Sequence, residues 1–145
     1  MSNRILSYRG LLADEAQETI LLSTKKGEVG YKIVKFQIIP EKPGTTAVES
    51  TVQIWKEEQP TVVAAVDFSD NRLLGVAYIE NGSSVGNMQP DVIIFDQEIF
   101  NQDIYITHID EGGTSACNYY LELEVIKLDE SQAMVATLKD IRNNS

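Results

Sequence analysis

An all-β fold, an antiparallel β-sandwich or jelly-roll-like domain with one short C-terminal helix, is what this sequence predicts. Three observations lead there. Apolar residues repeat mostly with period two, turn-forming clusters separate the apolar runs, and helical spacing is confined to residues 129–142. Strands without interleaved helices belong to a sandwich or barrel rather than a doubly wound α/β sheet.

The strand assignments follow from side-chain alternation. In Ile33–Ile39, Val34, Phe36 and Ile38 are expected on one face and Lys35 and Gln37 on the other. In Asn118–Lys127, Tyr119, Leu121, Leu123 and Val125 alternate with Tyr120, Glu122, Glu124 and Ile126. Glu18–Ser23, Thr51–Glu57, Val62–Phe68, Leu73–Glu80, Asp91–Asp96 and Asp103–Ile109 complete the set. Pro43-Gly44 suits a type II turn, because Pro presets φ and Gly accepts a positive one. Ser69-Asp70-Asn71 and Asn81-Gly82-Ser83-Ser84 are further turns, and Asp110–Ser115 is expected to close a hairpin between its flanking strands.

The helical end has Asp129 as cap, Gln132 three residues later, and Met134, Val135, Leu138 and Ile141 on one face. Such a helix would cover an edge of the sandwich. With no linker or internal repeat in sight, residues 1–145 read as a single domain of ordinary size.

Composition narrows the function. Twenty-two acidic against 12 basic residues give a formal charge of −10, and the longest basic cluster is Lys25-Lys26. That balance opposes nucleic acid and anionic membrane surfaces, and suits docking on a more basic protein. Met1–Gly10 lacks the apolar core of a signal peptide, and no run approaches the ~20 apolar residues of a membrane helix, so folding in a cytoplasm is expected. Cys117 stands alone, which excludes an internal disulfide; a small strand residue is its expected role.

Residues that could carry chemistry lack the context it needs. His108, in a strand-like run, has no nucleophile-elbow sequence to serve and reads as a strand-edge or interface histidine. One Cys and one His cannot build a zinc set. Asp67–Asn71 is a conceivable calcium loop, but it lacks the spacing and central Gly of a dedicated one. Glu122 and Glu124 share a strand face with no sign of the opposed carboxyl that glycoside hydrolysis requires. Gly27 and Gly30 fit a hairpin turn rather than a phosphate-binding loop. Trp55, Tyr31, Tyr78, Tyr105 and Tyr120 could form a carbohydrate-stacking platform, or equally a core or protein interface. The expectation is a protein with no catalytic, cofactor or metal site.

The N-terminal segment Ser2–Ala13 carries Arg4 and Arg9 with apolar Ile5, Leu6, Tyr8, Leu11 and Leu12, without helical capping. It is either an arm that adds a strand to a neighbouring protein or the first strand of the domain's own sheet, and Arg4, Ile5, Leu6, Tyr8 and Arg9 are the candidate partner-binding set.

Several strings carry a resemblance. Val92-Ile93-Ile94-Phe95-Asp96-Gln97-Glu98-Ile99-Phe100-Asn101-Gln102-Asp103-Ile104-Tyr105-Ile106-Thr107 looks like a pattern of small β-rich proteins of marine tailed bacteriophages. So do Asn118-Tyr119-Tyr120-Leu121-Glu122-Leu123-Glu124, Ala136-Thr137-Leu138-Lys139-Asp140-Ile141-Arg142, and Gly30-Tyr31-Lys32-Ile33-Val34-Lys35-Phe36 followed by Pro43-Gly44-Thr45. The resemblance implies a virion structural protein, made in the host cytoplasm, that forms homo-oligomers and touches other capsid or tail subunits. Capsid decoration or cement is the first role it implies, and a neck or tail component the second. It brings no catalytic motif.

Overall fold

The computed structural model describes residues 4–22, 28–43, 47–81 and 92–128. These form eight strands: β1 (Ile5–Leu12), β2 (Gln17–Ile20), β3 (Val29–Pro40), β4 (Val48–Trp55), β5 (Leu73–Asn81), β6 (Val92–Phe95), β7 (Ile104–Asp110) and β8 (Cys117–Lys127). They build two antiparallel sheets, a three-stranded one in the order β1-β8-β3 and a five-stranded one in the order β2-β7-β4-β5-β6. The helix expected over 129–142 lies outside the described residues, as do parts of the Pro43-Gly44 and Asn81-Gly82-Ser83-Ser84 turns.

The alternation expected of β8 holds. Tyr119, Leu121 and Leu123 are buried and join Ile33, Phe36 and Ile38 of β3 in one cluster. The same cluster takes Val52 and Ile54 from β4 and Ile104 and Ile106 from β7, so both sheets share a single core. Fully burying a side chain of this size contributes about 1.5–3 kcal/mol, which makes this shared surface the main source of cohesion.

Three strand-level expectations need correction. Val34 is exposed, because a bulge between Ile33 and Lys35 inserts one residue and puts Ile33 and Phe36 inward together. Val62–Phe68 forms no strand. Both sides of β4 are already paired, by β5 and β7, and the apolar run lies against β4 without joining its ladder. Gln53, itself buried, fastens it there by donating to the carbonyls of Val63 and Ala65 at 3.1 and 3.2 Å. Finally, Asp110–Ser115 is not a hairpin turn, since β7 and β8 lie in different sheets.

What turns the chain there is the Asp110 carboxylate, buried and accepting the N–H groups of Glu49, Gly112 and Ser115, each at 2.9 Å. Asp110 N–H in turn donates to Asp14 Oδ1 at 2.8 Å. The β1–β2, β3–β4 and β7–β8 crossings between sheets are therefore tied at one residue. The β1–β2 crossing also contains Glu15, a non-Gly residue at φ 63°, a conformation held against a local penalty of roughly 1–2 kcal/mol.

Gly30 is a buried strand residue rather than part of a turn. An added Cβ would stand 2.6 Å from Ile99 Cγ2, so the close approach of that side chain requires Gly. Nearby, Tyr31 exchanges backbone hydrogen bonds with Phe100 at 2.7 and 2.9 Å, which closes that end of β3. Lys56 and Glu98, both largely buried, meet at 2.7 Å and fix the segment before β7 against the end of β4.

Candidate partner interface

The segment carrying Arg4, Ile5, Leu6, Tyr8 and Arg9 is an edge strand of the chain's own three-stranded sheet. β1 pairs with β8 from Ile5↔Glu124 to Leu12↔Cys117. Parity divides it. Leu12 is core and Leu6 and Tyr8 pack against the core, whereas Ile5, Ser7, Arg9 and Leu11 are exposed. The structure thus brings Arg4, Ile5 and Arg9 to the surface and turns Leu6 and Tyr8 inward. Ser7 and Leu11, absent from the candidate set, complete the outward row. The signal for them was in the string itself, since a core Leu12 puts Leu6, Tyr8 and Gly10 on its own face.

Backbone polarity follows the same parity. Val125 N–H donates to Arg4 C=O at 2.7 Å, which makes Arg4↔Val125 a hydrogen-bonded pair in the β1–β8 register. In an antiparallel ladder such pairs alternate with non-bonded ones. Leu6, Tyr8, Gly10 and Leu12 therefore bond to β8, and the N–H and C=O groups of Ile5, Ser7, Arg9 and Leu11 point away from it.

Beside this edge the outer face of the sheet is charge-balanced. Lys32 reaches Glu124 at 3.7 Å, Lys35 lies 5.7 Å from the centre of the Tyr120 ring, and Tyr120 donates to Glu122 at 2.6 Å. Glu122 and Glu124 thus stand on an open face next to Lys35 and Lys32. Arg9 makes no ion pair among the described residues. A shallow depression of about 450 Å³ is lined by Arg9, Gly10, Leu11, Asn118, Tyr119 and Tyr120. Tyr119 lies beneath it and donates to Glu18 at 3.1 Å, and burial followed by that carboxylate's charge pushes its hydroxyl well above the usual tyrosine range.

His108 is neither at an edge nor at a surface. It is fully buried on β7, with Nδ1 3.1 Å from Ala13 C=O and Nε2 3.1 Å from Ser50 Oγ. A carbonyl only accepts, so Nδ1 carries the proton, and in the neutral ring Nε2 accepts from the Ser50 hydroxyl. Ser50 is also fully buried, so this Ser–His contact is sealed from solvent. Cys117 adjoins it, and burial pushes the thiol up to about 11, far from a reactive thiolate.

Other candidates are scattered or used locally. Asp67 accepts from Ser69, and Asp70 accepts from the backbone and guanidinium of Arg72; these hydrogen bonds hold both carboxyls below their ordinary values. The Asp67–Asn71 segment is therefore a pair of side-chain-stabilised turns. Among the described residues no three His, Cys, Asp or Glu side chains converge as metal ligands. The aromatics do not share a plane. Tyr31 is in the core, Tyr120 is on the outer face of the three-stranded sheet, and Trp55 is buried with its indole N–H on Thr107 at 3.1 Å. Tyr78 lies between Glu49 and Glu80 at 3.2 Å each, and burial reinforced by those carboxylates pushes it up to about 12. Among the described residues no helix is long and apolar enough to cross a membrane.

The sequence matches no protein-family model and no curated protein. Solved structures similar to the chain include the Drosophila NLP-core, whose structure concerns pentamer formation and histone binding, at 11% identity and a TM-score of 0.43, covering 87% of this chain and 99% of that one. A Bacillus endospore appendage, from a family of disulfide-linked pili, is similar at 6% identity and a TM-score of 0.39, covering 89% and 93%. A Maize Chlorotic Mottle Virus structure is similar at 9% identity and a TM-score of 0.31, also covering 89% and 93%. Structural neighbours thus include pilus and virus particle proteins, but with TM-scores below 0.5 these likenesses carry no argument about what this chain does.

Proposed function

We propose that this chain is a non-enzymatic structural protein of a phage virion, a decoration or cement protein that works on the capsid through protein–protein contacts. The observation that carries this reading is the β1 edge, which among the described residues pairs on one side only and offers outward backbone groups and the exposed side chains of Ile5, Arg9 and Leu11. Strand addition supplies affinity through such main-chain groups and specificity through alternate side chains. The net charge of −10 favours a more basic subunit as the surface it rests on. A passive role is also supported by His108, whose contacts with Ser50 and Ala13 are those of a sealed structural polar residue. The phage attribution comes from the sequence resemblance.

Mass spectrometry of purified virions is the test. The protein is expected in particles in amounts comparable with a coat subunit, and immunogold labelling is expected on the shell. Label confined to the neck or tail would move the assignment there, and absence from particles would reject it.

A further inference from the structure

We propose that β1 pairs with β1 of a second copy, antiparallel across a two-fold axis at Tyr8, joining two three-stranded sheets into one. This inference rests on the protein–protein reading of β1 given above and names the partner.

Sheet edges in natural proteins are guarded by shortness, bulges, prolines or inward charges. Three of the four edges here are guarded. β2 and β6 each have four residues. β3 carries the bulge at Val34, Pro40, and the backbone contact between Tyr31 and Phe100. β1 has eight residues in unbroken register, no proline and no bulge. Of these edges it is the one built to accept a strand.

Its sequence favours a copy of itself. The groups pointing away from β8 belong to Ile5, Ser7, Arg9 and Leu11, and an axis at Tyr8 sets Ile5 against the partner's Leu11 and Ser7 against the partner's Arg9. Every outward group of the strand then enters a hydrogen-bonded pair. On the outer face Ile5 meets Leu11, apolar against apolar, and both are about half exposed in the single chain. On the inner face Leu6 comes opposite the partner's Gly10, whose missing side chain is replaced by the Tyr119 ring packed over it.

Charge agrees with this register. Arg9, which makes no ion pair among the described residues, comes to lie beside the partner's Ser7, whose neighbour on β8 is Glu122. A shift of the axis to Ser7 would set Arg9 against Ile5 and leave Leu11 without a partner in the described strand. The complementarity therefore selects one register.

Sedimentation velocity and native mass spectrometry of the full chain are expected to show a dimer. Ser7→Pro deletes an N–H that β8 does not use, so it is expected to give a monomer with unchanged circular dichroism and a cooperative thermal transition that no longer depends on protein concentration. Arg9→Glu is expected to weaken the dimer by about tenfold or more, and Arg9→Glu with Glu122→Arg to restore it. A wild-type protein monomeric at every concentration, or a dimer indifferent to both Ser7→Pro and Arg9→Glu, would overturn the proposal. If Ser7→Pro fails to fold, the charge exchange still decides. A monomer that is nevertheless found in virions would sink the self-pairing alone, whereas a Ser7→Pro-sensitive dimer absent from virions would sink the virion assignment alone.

Discussion

Replacing Asp110 by alanine is expected to destabilise the protein by about 4 kcal/mol, read as a lowered denaturant midpoint at neutral pH. A hydrogen bond to a charged acceptor contributes about 1.5–3 kcal/mol, and a buried donor left without a partner costs about 1–3 kcal/mol. Asp110 accepts three backbone N–H groups and is itself only 4% exposed. Some of those donors will recover water when the carboxylate is gone, which keeps the expected loss below the simple sum. Asp110→Asn retains one acceptor oxygen and is expected to lose about half as much. Because Glu49 lies near the start of β4 while Gly112 and Ser115 lie between β7 and β8, the damage should reach both sheets.

The same residue sets an acid limit. Burial works to raise the Asp110 carboxyl, but the N–H groups of Glu49, Ser115 and Gly112, with the nearby His108, outweigh it and hold it below its ordinary value. A carboxyl lowered by folding contributes stability that is complete above its unfolded value, about 3.9, and is lost as pH falls through the lower folded value. Stability should therefore decline on the acid side of pH 4 in the wild type, and less steeply in Asp110→Ala.

Deleting residues 2–13 is expected to abolish cooperative folding rather than trim a dispensable arm. The deletion removes Leu12 from the core and the packing of Leu6 and Tyr8 against it. It also strips the β8 edge whose Leu121 and Leu123 are now fully buried. Three apolar side chains at about 1.5–3 kcal/mol each, together with an eight-residue ladder, rival the roughly 5–15 kcal/mol that holds a domain of this size. Circular dichroism of the truncated chain should lack a sharp thermal transition. A truncated protein that melts like the full chain would show that β1 is an arm.

How far the fold could be read in advance depended on whether a strand's fate was local. β8 alternates cleanly because it is the middle strand of its sheet, with one face on the core, and period two reports that directly. β3 defeated the same reading at one position, since a bulge shifts the phase without leaving a mark in composition. Val62–Phe68 has the apolar content of a strand, but β4, to which Gln53 ties it, is already paired on both sides by β5 and β7. Asp110-Glu111-Gly112-Gly113 looked like a hairpin turn because turn chemistry is local, whereas the sheet that the next strand joins is not. Single polar residues were harder still: His108 and Gln53 are buried because distant carbonyls receive them. On β1, dividing the exposed Arg4, Ile5, Ser7 and Arg9 from the inward Leu6 and Tyr8 needed the phase that Leu12 fixes.

Amide hydrogen exchange along β1 in the dilute, monomeric protein bears on all of this at once. If β1 is an integral strand with one side open, Leu6, Tyr8, Gly10 and Leu12 should exchange slowly and Ile5, Ser7, Arg9 and Leu11 fast. Uniformly fast amides would mean that the segment is not held by β8, and uniformly slow ones that its outer side is already covered; either result would contradict the edge described above.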